Sequence, residues 1–369
     1  MARKPSTSRL RTASGSSRSG ARRPTAQDVA RLAGVTQSTV SRVINNSPAI
    51  SADTRAEVLR AIDALGYRPV LAGRALARQC HEVVGLVGQT STSGTYYGQL
   101  LMQGVTVALG THGYGLAVGM LRFGDPAELI GELPFVRGQA VDGLIVDLIP
   151  GSGDLETVIA AAGLPAVYVN PVNARPCNAV MLDDEESAAT ITGYLLDRGH
   201  RAIGYVPSDR RNVHASDSLR KSGFVRAMLA AGVQPLPHWD EPFEERHHDI
   251  ASLAPWVAGR LQGYRAHGCT AVVAYDYKMC AAVLRACHSM DLRVPEDLSI
   301  VVCDHAPPLA EMPVPVTGMF TDRVEIGRAA VGMLLKRVEA GGEDQPSEVV
   351  AAALVEGASV APREQPADY

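Results

Sequence analysis

The stretch VTQSTVSRVINN, Val35 to Asn46, decides how the chain is read. Val40, Val43 and Ile44 recur at helical spacing and can face a core, while Gln37, Ser38, Ser41 and Arg42 then point outward. Gln and Arg are the side chains able to contact adenine and guanine with two hydrogen bonds each in the major groove. Thr25, Thr36, Thr39 and Asn45 suit phosphates, together with backbone N–H groups at helix starts. A small helical bundle with a merely wet polar face would show the same pattern, so the surroundings have to discriminate.

Three short helices form those surroundings. Thr25 can cap AQDVARLA, with Asp28 three residues on at the positive end of the helix dipole. Gly34 supplies a turn, and Thr36 can cap the helix that follows. Ser51 caps ADTRAEVLRAIDALGY, which Gly66 ends and Pro69 keeps from resuming. Two helices joined by a tight turn, the second rich in short polar side chains, make a helix-turn-helix.

Charge agrees. Residues 1–80 carry 14 Arg and Lys against four Asp and Glu, whereas the remainder carries 21 against 35. A basic head on an acidic body points to a polyanion-binding module joined to something else. Residues 1–23 hold seven basic and no acidic side chains among many Ser and Gly. They read as a disordered basic tail without the apolar core of a secretory signal, and a cytoplasmic protein is expected. No apolar run approaches the length of a membrane span.

From Glu82 onward the texture becomes strand–helix alternation. EVVGLVG, YGLAVGM, VDGLIVDLI and PAVYVN form one series of apolar strands, and RAIGYVP, TAVVAYD and LSIVVCD form a second. Continuous apolar strands imply parallel sheets covered on both faces, and two series imply two α/β lobes. The six cysteines are scattered without a C-x-x-C pair and read as buried thiols, so no metal and no cofactor is expected. No G-x-S-x-G, P-loop or H-E-x-x-H motif is present, and an enzyme is not expected. A solute-binding transport protein or an enzyme on the same two-lobe body is the alternative. The basic head argues against it.

With these motifs in order, the chain resembles the lactose-repressor/galactose-repressor (LacI/GalR) family of bacterial transcription factors. DVARLAGV, STVSRVIN and ALGYRP fall at the family's spacing without a gap, and VDGLIV, LLDRGHRAIGYV, RKSGFVRAM and LRVPEDLSIVVCD resemble landmarks of its body. The resemblance runs from about Thr25 to Pro362. It implies a helix-turn-helix DNA-binding domain over 24–69, a hinge helix over 70–81 and a two-lobe, periplasmic-binding-protein-like body over 82–362. Lobe 1 would comprise about 82–182 and 320–347, lobe 2 about 183–319 and 348–362, with 363–369 a frayed tail.

The function implied is that of a repressor binding a pseudo-palindromic operator in double-stranded DNA, as a homodimer or a tetramer. A small molecule, carbohydrate by family precedent, would control affinity from the interlobe cleft. The matching positions make Leu76 the residue that wedges into the minor groove, and make Tyr96, Tyr97, Asn170, Arg220, Asp276 and Asp304 the effector contacts. The sequence departs from the family at Gly73, where Ala is usual and Gly costs about 1 kcal/mol of helix stability. It departs again at Tyr277, Val302, Cys303, His305 and Glu356 in the body.

Overall fold

A computed structural model describes residues 24–44, 47–67, 80–89, 96–121, 126–147, 153–173, 175–208, 214–237, 239–240 and 249–363. The expectations for residues 1–23, Asn45, the hinge with Leu76 and the terminal tail lie outside them. The chain divides into two compact units, residues 1–79 and 80–369.

The head contains α1 (Ala26–Leu32), α2 (Gln37–Ile44) and α3 (Ala52–Leu65). Thr25 closes a capping box with Asp28: its hydroxyl accepts the Asp28 N–H, and the carboxylate accepts both the Thr25 N–H at 2.9 Å and the Thr25 hydroxyl at 2.7 Å. Ser51 caps α3, and Gly66 ends it at φ 60°, a left-handed conformation that glycine reaches without strain. Val29, Ala30, Val40, Val43, Val58 and Ala61 are buried together, so all three helices share one small core. Arg55 of α3 donates to Ser47 O at 2.7 Å and so fixes the segment that leaves α2.

The body begins with β1 (Val83–Gln89), α4 (Tyr96–Thr111), β2 (Gly115–Leu121), α5 (Pro126–Glu132), α6 (Pro134–Arg137), β3 (Gly143–Asp147), α7 (Gly153–Ala161), β4 (Ala166–Val169) and β5 (Ala179–Leu182). It continues with α8 (Asp184–Asp197), β6 (Ile203–Val206), α9 (Ala215–Ala230), α10 (Ile250–Ala266), β7 (Ala271–Ala274), α11 (Tyr277–Ser289) and β8 (Ser299–Val302). Last come β9 (Thr317–Phe320), α12 (Arg323–Glu339), β10 (Glu348–Val350) and β11 (Ala353–Val355). The first sheet runs β10-β5-β4-β3-β1-β2, and every pairing in it is parallel. The second runs β11-β9-β8-β7-β6, parallel except where β11 meets β9. Strands β3, β4, β6, β7 and β8 are buried along their whole length, the signature of sheets covered on both faces.

The chain passes between the lobes three times, at Asp183, after Phe320, and between Val350 and Ala353. This corrects the expected boundaries. Phe320 still belongs to the second sheet, and residues 348–350 pair with β5 in the first rather than starting the second lobe. The stretch SEVVAAALVEGASV is therefore two edge strands in different sheets. Its apolar pattern fits an edge of either sheet, so spacing alone does not show the switch.

Helix α12 returns to the first lobe, where Ile326, Ala330, Val331 and Leu334 join Val84, Leu101 and Val105 in one core. The crossing of α4 and α12 needs two glycines. A Cβ on Gly104 would lie 2.1 Å from Val324 O, and one on Gly327 would lie 2.6 Å from Leu101 O. Gly104→Ala is expected to push α12 off α4 and lower the melting temperature by about 5 °C, at roughly 1–3 kcal/mol for an overpacked contact. Gly110→Ala on the same helix meets nothing within 4 Å and should leave it unchanged or slightly higher. Differential scanning calorimetry of the pair checks the geometry of the crossing.

Candidate functional site

Two surfaces carry the residues singled out from the sequence. On the head, Val40 and Val43 are buried, and their burial turns the rest of α2 outward. Gln37, Ser38, Ser41 and Arg42 are exposed, and Thr39 is half-buried. The start of the helix is organised by Thr36, whose hydroxyl accepts the Thr39 N–H at 3.2 Å and lies 2.8 Å from the Ser38 hydroxyl. Thr25 is different. Its hydroxyl is committed to Asp28 within the capping box, and the neighbouring carboxylate would repel a phosphate.

The second surface lies between the lobes of the body and is built from strand ends. Asp304 follows β8, Asp276 follows β7, Asn170 follows β4 and Asp147 ends β3, so all four lie at the C-terminal edges where open α/β sheets bind ligands. Arg220 reaches the same place from the first turns of α9. It is 3% exposed and donates Nε to Asp184 at 2.8 Å, Nη1 to Tyr275 O at 2.7 Å and Nη2 to Asp304 at 3.2 Å. Its guanidinium also lies over the Tyr275 ring, 4.4 Å from the centroid. Burial opposes its charge, but Asp184, Tyr275 and Asp304 around it hold it protonated, well above its ordinary range.

Asp304 joins the lobes. Its carboxylate takes Arg323 Nη2 at 2.7 Å, and its carbonyl accepts the Tyr97 hydroxyl at 2.8 Å. Arg323 opens α12 and Tyr97 lies in the first turn of α4, both on the first lobe. Arg323 sits over the Tyr97 ring at 4.7 Å, and Tyr97 meets Tyr277 of the second lobe edge to face at 5.3 Å. Burial raises the Tyr97 phenol well above its ordinary value, with Asp304 and Asp276 adding to the effect. It therefore stays a neutral donor.

His214 makes a second interlobe link. Its Nδ1 accepts the Ser216 N–H at 3.0 Å, so Nε2 carries the proton and donates to Asn170 O at 2.8 Å. Burial lowers the His214 pKa and keeps the ring neutral. Asn170 adopts φ 44°, a left-handed conformation unusual outside glycine, and this turn of the backbone accompanies the carbonyl's bond to the histidine. Asp276 caps α11 by accepting the Met279 N–H at 2.8 Å, and burial raises its carboxyl. Tyr96 is half-buried at the start of α4.

The structure thus gathers Tyr97, Asn170, Arg220, Asp276 and Asp304 along one cleft, and it adds Asp147, Asp184, His214, Tyr275 and Arg323. Two of the additions have a sequence signal. Asp147 ends a wholly apolar strand, and Arg323 puts a cation at a helix start, where the dipole disfavours it unless a carboxylate compensates. Arg220, an effector contact implied by the resemblance, is already engaged by protein groups on Nε, Nη1 and Nη2. A ligand must share or exchange those partners. Among the described residues no group of three or more His, Cys, Asp and Glu is assembled to hold a metal ion. No helix among them is long and apolar enough to cross a membrane.

Comparison with known proteins agrees with the division into a head and a body. Residues 25–70 match the model of bacterial regulatory proteins, lacI family, and residues 192–360 match a periplasmic binding protein-like domain. The chain is 31% identical over 336 residues to the HTH-type transcriptional regulator CelR of Thermobifida fusca, covering 89% of this chain and 96% of that protein. It is 28% identical to the HTH-type transcriptional repressor PurR of Mannheimia succiniciproducens, over 85% of this chain and 92% of the relative. A solved complex of the transcriptional regulator CelR with cellobiose superposes with a TM-score of 0.65 at 27% identity, covering 91% of this chain and all of that one. The lac repressor dimer bound to operator shares the fold, with a TM-score of 0.78 at 23% identity over 92% of this chain and 99% of that one. The helix-turn-helix head, the two-lobe body and these relatives together place the chain in the lacI family of bacterial regulatory proteins, as a DNA-binding transcriptional regulator and not an enzyme.

Proposed function

We propose that this protein is a cytoplasmic repressor, nucleoid-associated when bound to DNA, that binds a pseudo-palindromic operator as a homodimer. A sugar or sugar derivative in the interlobe cleft controls its affinity. The observation that carries the reading is Asp304, which ties Arg220 of one lobe to Arg323 and Tyr97 of the other. A ligand hydroxyl that competes for this carboxylate changes the relation of the lobes, and that differential contact is what allostery requires. The similarity to a CelR–cellobiose complex supports a carbohydrate, and relatives named PurR and ribose operon repressor support repression. Gln37, Ser38, Ser41 and Arg42 are the proposed base readers. Thr36, Thr39 and Asn45 are proposed at phosphates, and Thr25 contributes through its helix start rather than its committed hydroxyl. Leu76 is proposed as the minor-groove wedge. Tyr96, Tyr97, Asn170, Arg220, Asp276 and Asp304 are the proposed effector contacts.

The dimer has a candidate surface on the first lobe. Edge strand β2 exposes Val118 at 45% and Met120 at 37%, and α4 exposes Val107 at 50%. Large apolar side chains left uncovered on one lobe mark an association face. Val118→Asp is expected to give a monomer in sedimentation equilibrium and to weaken operator binding about 100-fold or more, because the two heads no longer bind as a linked pair. An unchanged dimer would move the interface elsewhere. The cleft reading is checked by a thermal-shift screen of mono- and disaccharides, beginning with cellobiose. At least one sugar should stabilise the protein and lose that effect in Arg220→Lys, while stabilisation by none would remove the sugar reading.

A further inference from the structure

The cleft holds more negative than positive charge. Four carboxylates, Asp147, Asp184, Asp276 and Asp304, face two guanidiniums, Arg220 and Arg323. Asp184 and Asp304 take the ion pairs with these arginines. Asp147 and Asp276 are left over, and they come from opposite lobes. Asp147 is 7% exposed, and among the described residues no hydrogen-bond donor reaches its carboxylate. Asp276 accepts the single backbone N–H of Met279. On the same wall the buried Nε of Arg323 has no hydrogen-bond partner among the described residues, so the first lobe presents an unused donor as well as an unused acceptor.

A buried carboxylate without a partner is strongly unfavourable, and proteins keep one where a cation arrives to meet it or where it carries a proton. Burial, outweighing the opposing pull of Arg323, raises Asp147 to about 7, so the group is poised to ionise when a cation arrives. An anionic ligand is disfavoured, because both arginines already have carboxylate partners and the remaining groups would repel it. A wholly neutral polyol would leave Asp147 to be neutralised by a proton, whereas a cation meets it ionised.

We propose that the effector of this cleft carries a protonated amine beside its hydroxyls, as an amino sugar does, with the ammonium held by Asp147 and hydroxyls held by Asp276 and Arg323 Nε. The inference rests on the reading of the cleft as the effector site. It narrows the ligand class there and adds Asp147 and Arg323 as specificity residues.

The test is titration calorimetry on the full chain at pH 7.5 with glucosamine and its β-1,4-linked dimer, their neutral twins glucose and cellobiose, and glucose 6-phosphate. At least one amine is expected to bind more tightly than its neutral twin by roughly 30-fold or more, as a desolvated charge pair implies. Asp147→Asn should abolish that margin while leaving the ligand-free melting temperature unchanged or higher, since it removes a buried charge. Equal binding of amine and neutral twin, tighter binding of the phosphate, no binding of either amine, or an amine preference that survives in Asp147→Asn would each overturn the proposal. Binding of a neutral or phosphorylated sugar that no amine exceeds, lost in Arg220→Lys, would overturn the amine and leave the cleft reading standing. Binding of none of the five would count against both.

Discussion

Asp304→Ala is expected to lower the melting temperature of the body by about 10 °C, because breaking a buried ion pair from one side costs about 3–5 kcal/mol. The reason is in the network. Arg220 would keep Asp184, but Arg323 would lose its carboxylate partner while remaining 6% exposed. The single change thus strands a buried cation at the positive end of α12, where the helix dipole adds to the penalty. Asp304→Asn keeps the shape and one acceptor oxygen and should fall between the two. In the double variant Asp304→Leu with Arg323→Met, much of the loss should return, since apolar replacements of a buried pair are often neutral. Below the melting transition, operator binding of Asp304→Ala should no longer respond to effector, because the tie that the effector competes for is already gone. An unchanged melting temperature would mean that Asp304 is not the joint between the lobes.

The second large effect is on the head. Arg42→Ala is expected to weaken operator binding by about 1–3 kcal/mol per head and so by roughly 2–6 kcal/mol in a dimer, with preference lost at one base position of each half-site. The salt dependence separates base reading from charge. If Arg42 reads a base, affinity for random duplex should hold and the salt slope should barely change. If it only neutralises a phosphate, specific and random DNA should weaken alike and the slope should fall by about one per head. Competition of operator against random duplex across a salt series distinguishes the two.

Much of the architecture was legible because local signals and global packing agree. Thr25, Ser51 and Gly66 mark helix ends in the sequence and mark them in the structure. The apolar runs became parallel strands at the expected places, buried except for β2 at the sheet edge, where Val118 and Met120 are exposed. Where the chain changes sheet was not legible, since Glu348–Val350 and Ala353–Val355 have the same edge-strand character and only three-dimensional pairing tells them apart.

The cleft was half legible. Arg220, Asp276 and Asp304 were reached through the resemblance, and the structure brings them together. Asp184 was not reached, because a buried charge and a surface charge look alike in a sequence and only the partner identifies the buried one; Arg323 was signalled only by its place at a helix start. Asp147 could have been found from its place at the end of an apolar strand, at the edge where such sheets bind ligands. Thr25 shows what residue type alone leaves out. Its type suited a phosphate contact, but its hydroxyl is engaged locally at the cap.

The central claim is that this protein reads a specific DNA sequence with two copies of α2. Selection from a pool of random duplexes by the full-length protein, followed by sequencing, tests it most directly. The pool should converge on one inverted repeat with half-sites about one helical turn apart or a multiple of it, and the Arg42→Ala protein should lose conservation at a single position in each half. Retention of DNA with no sequence enriched, at an affinity set by salt alone, would contradict the account.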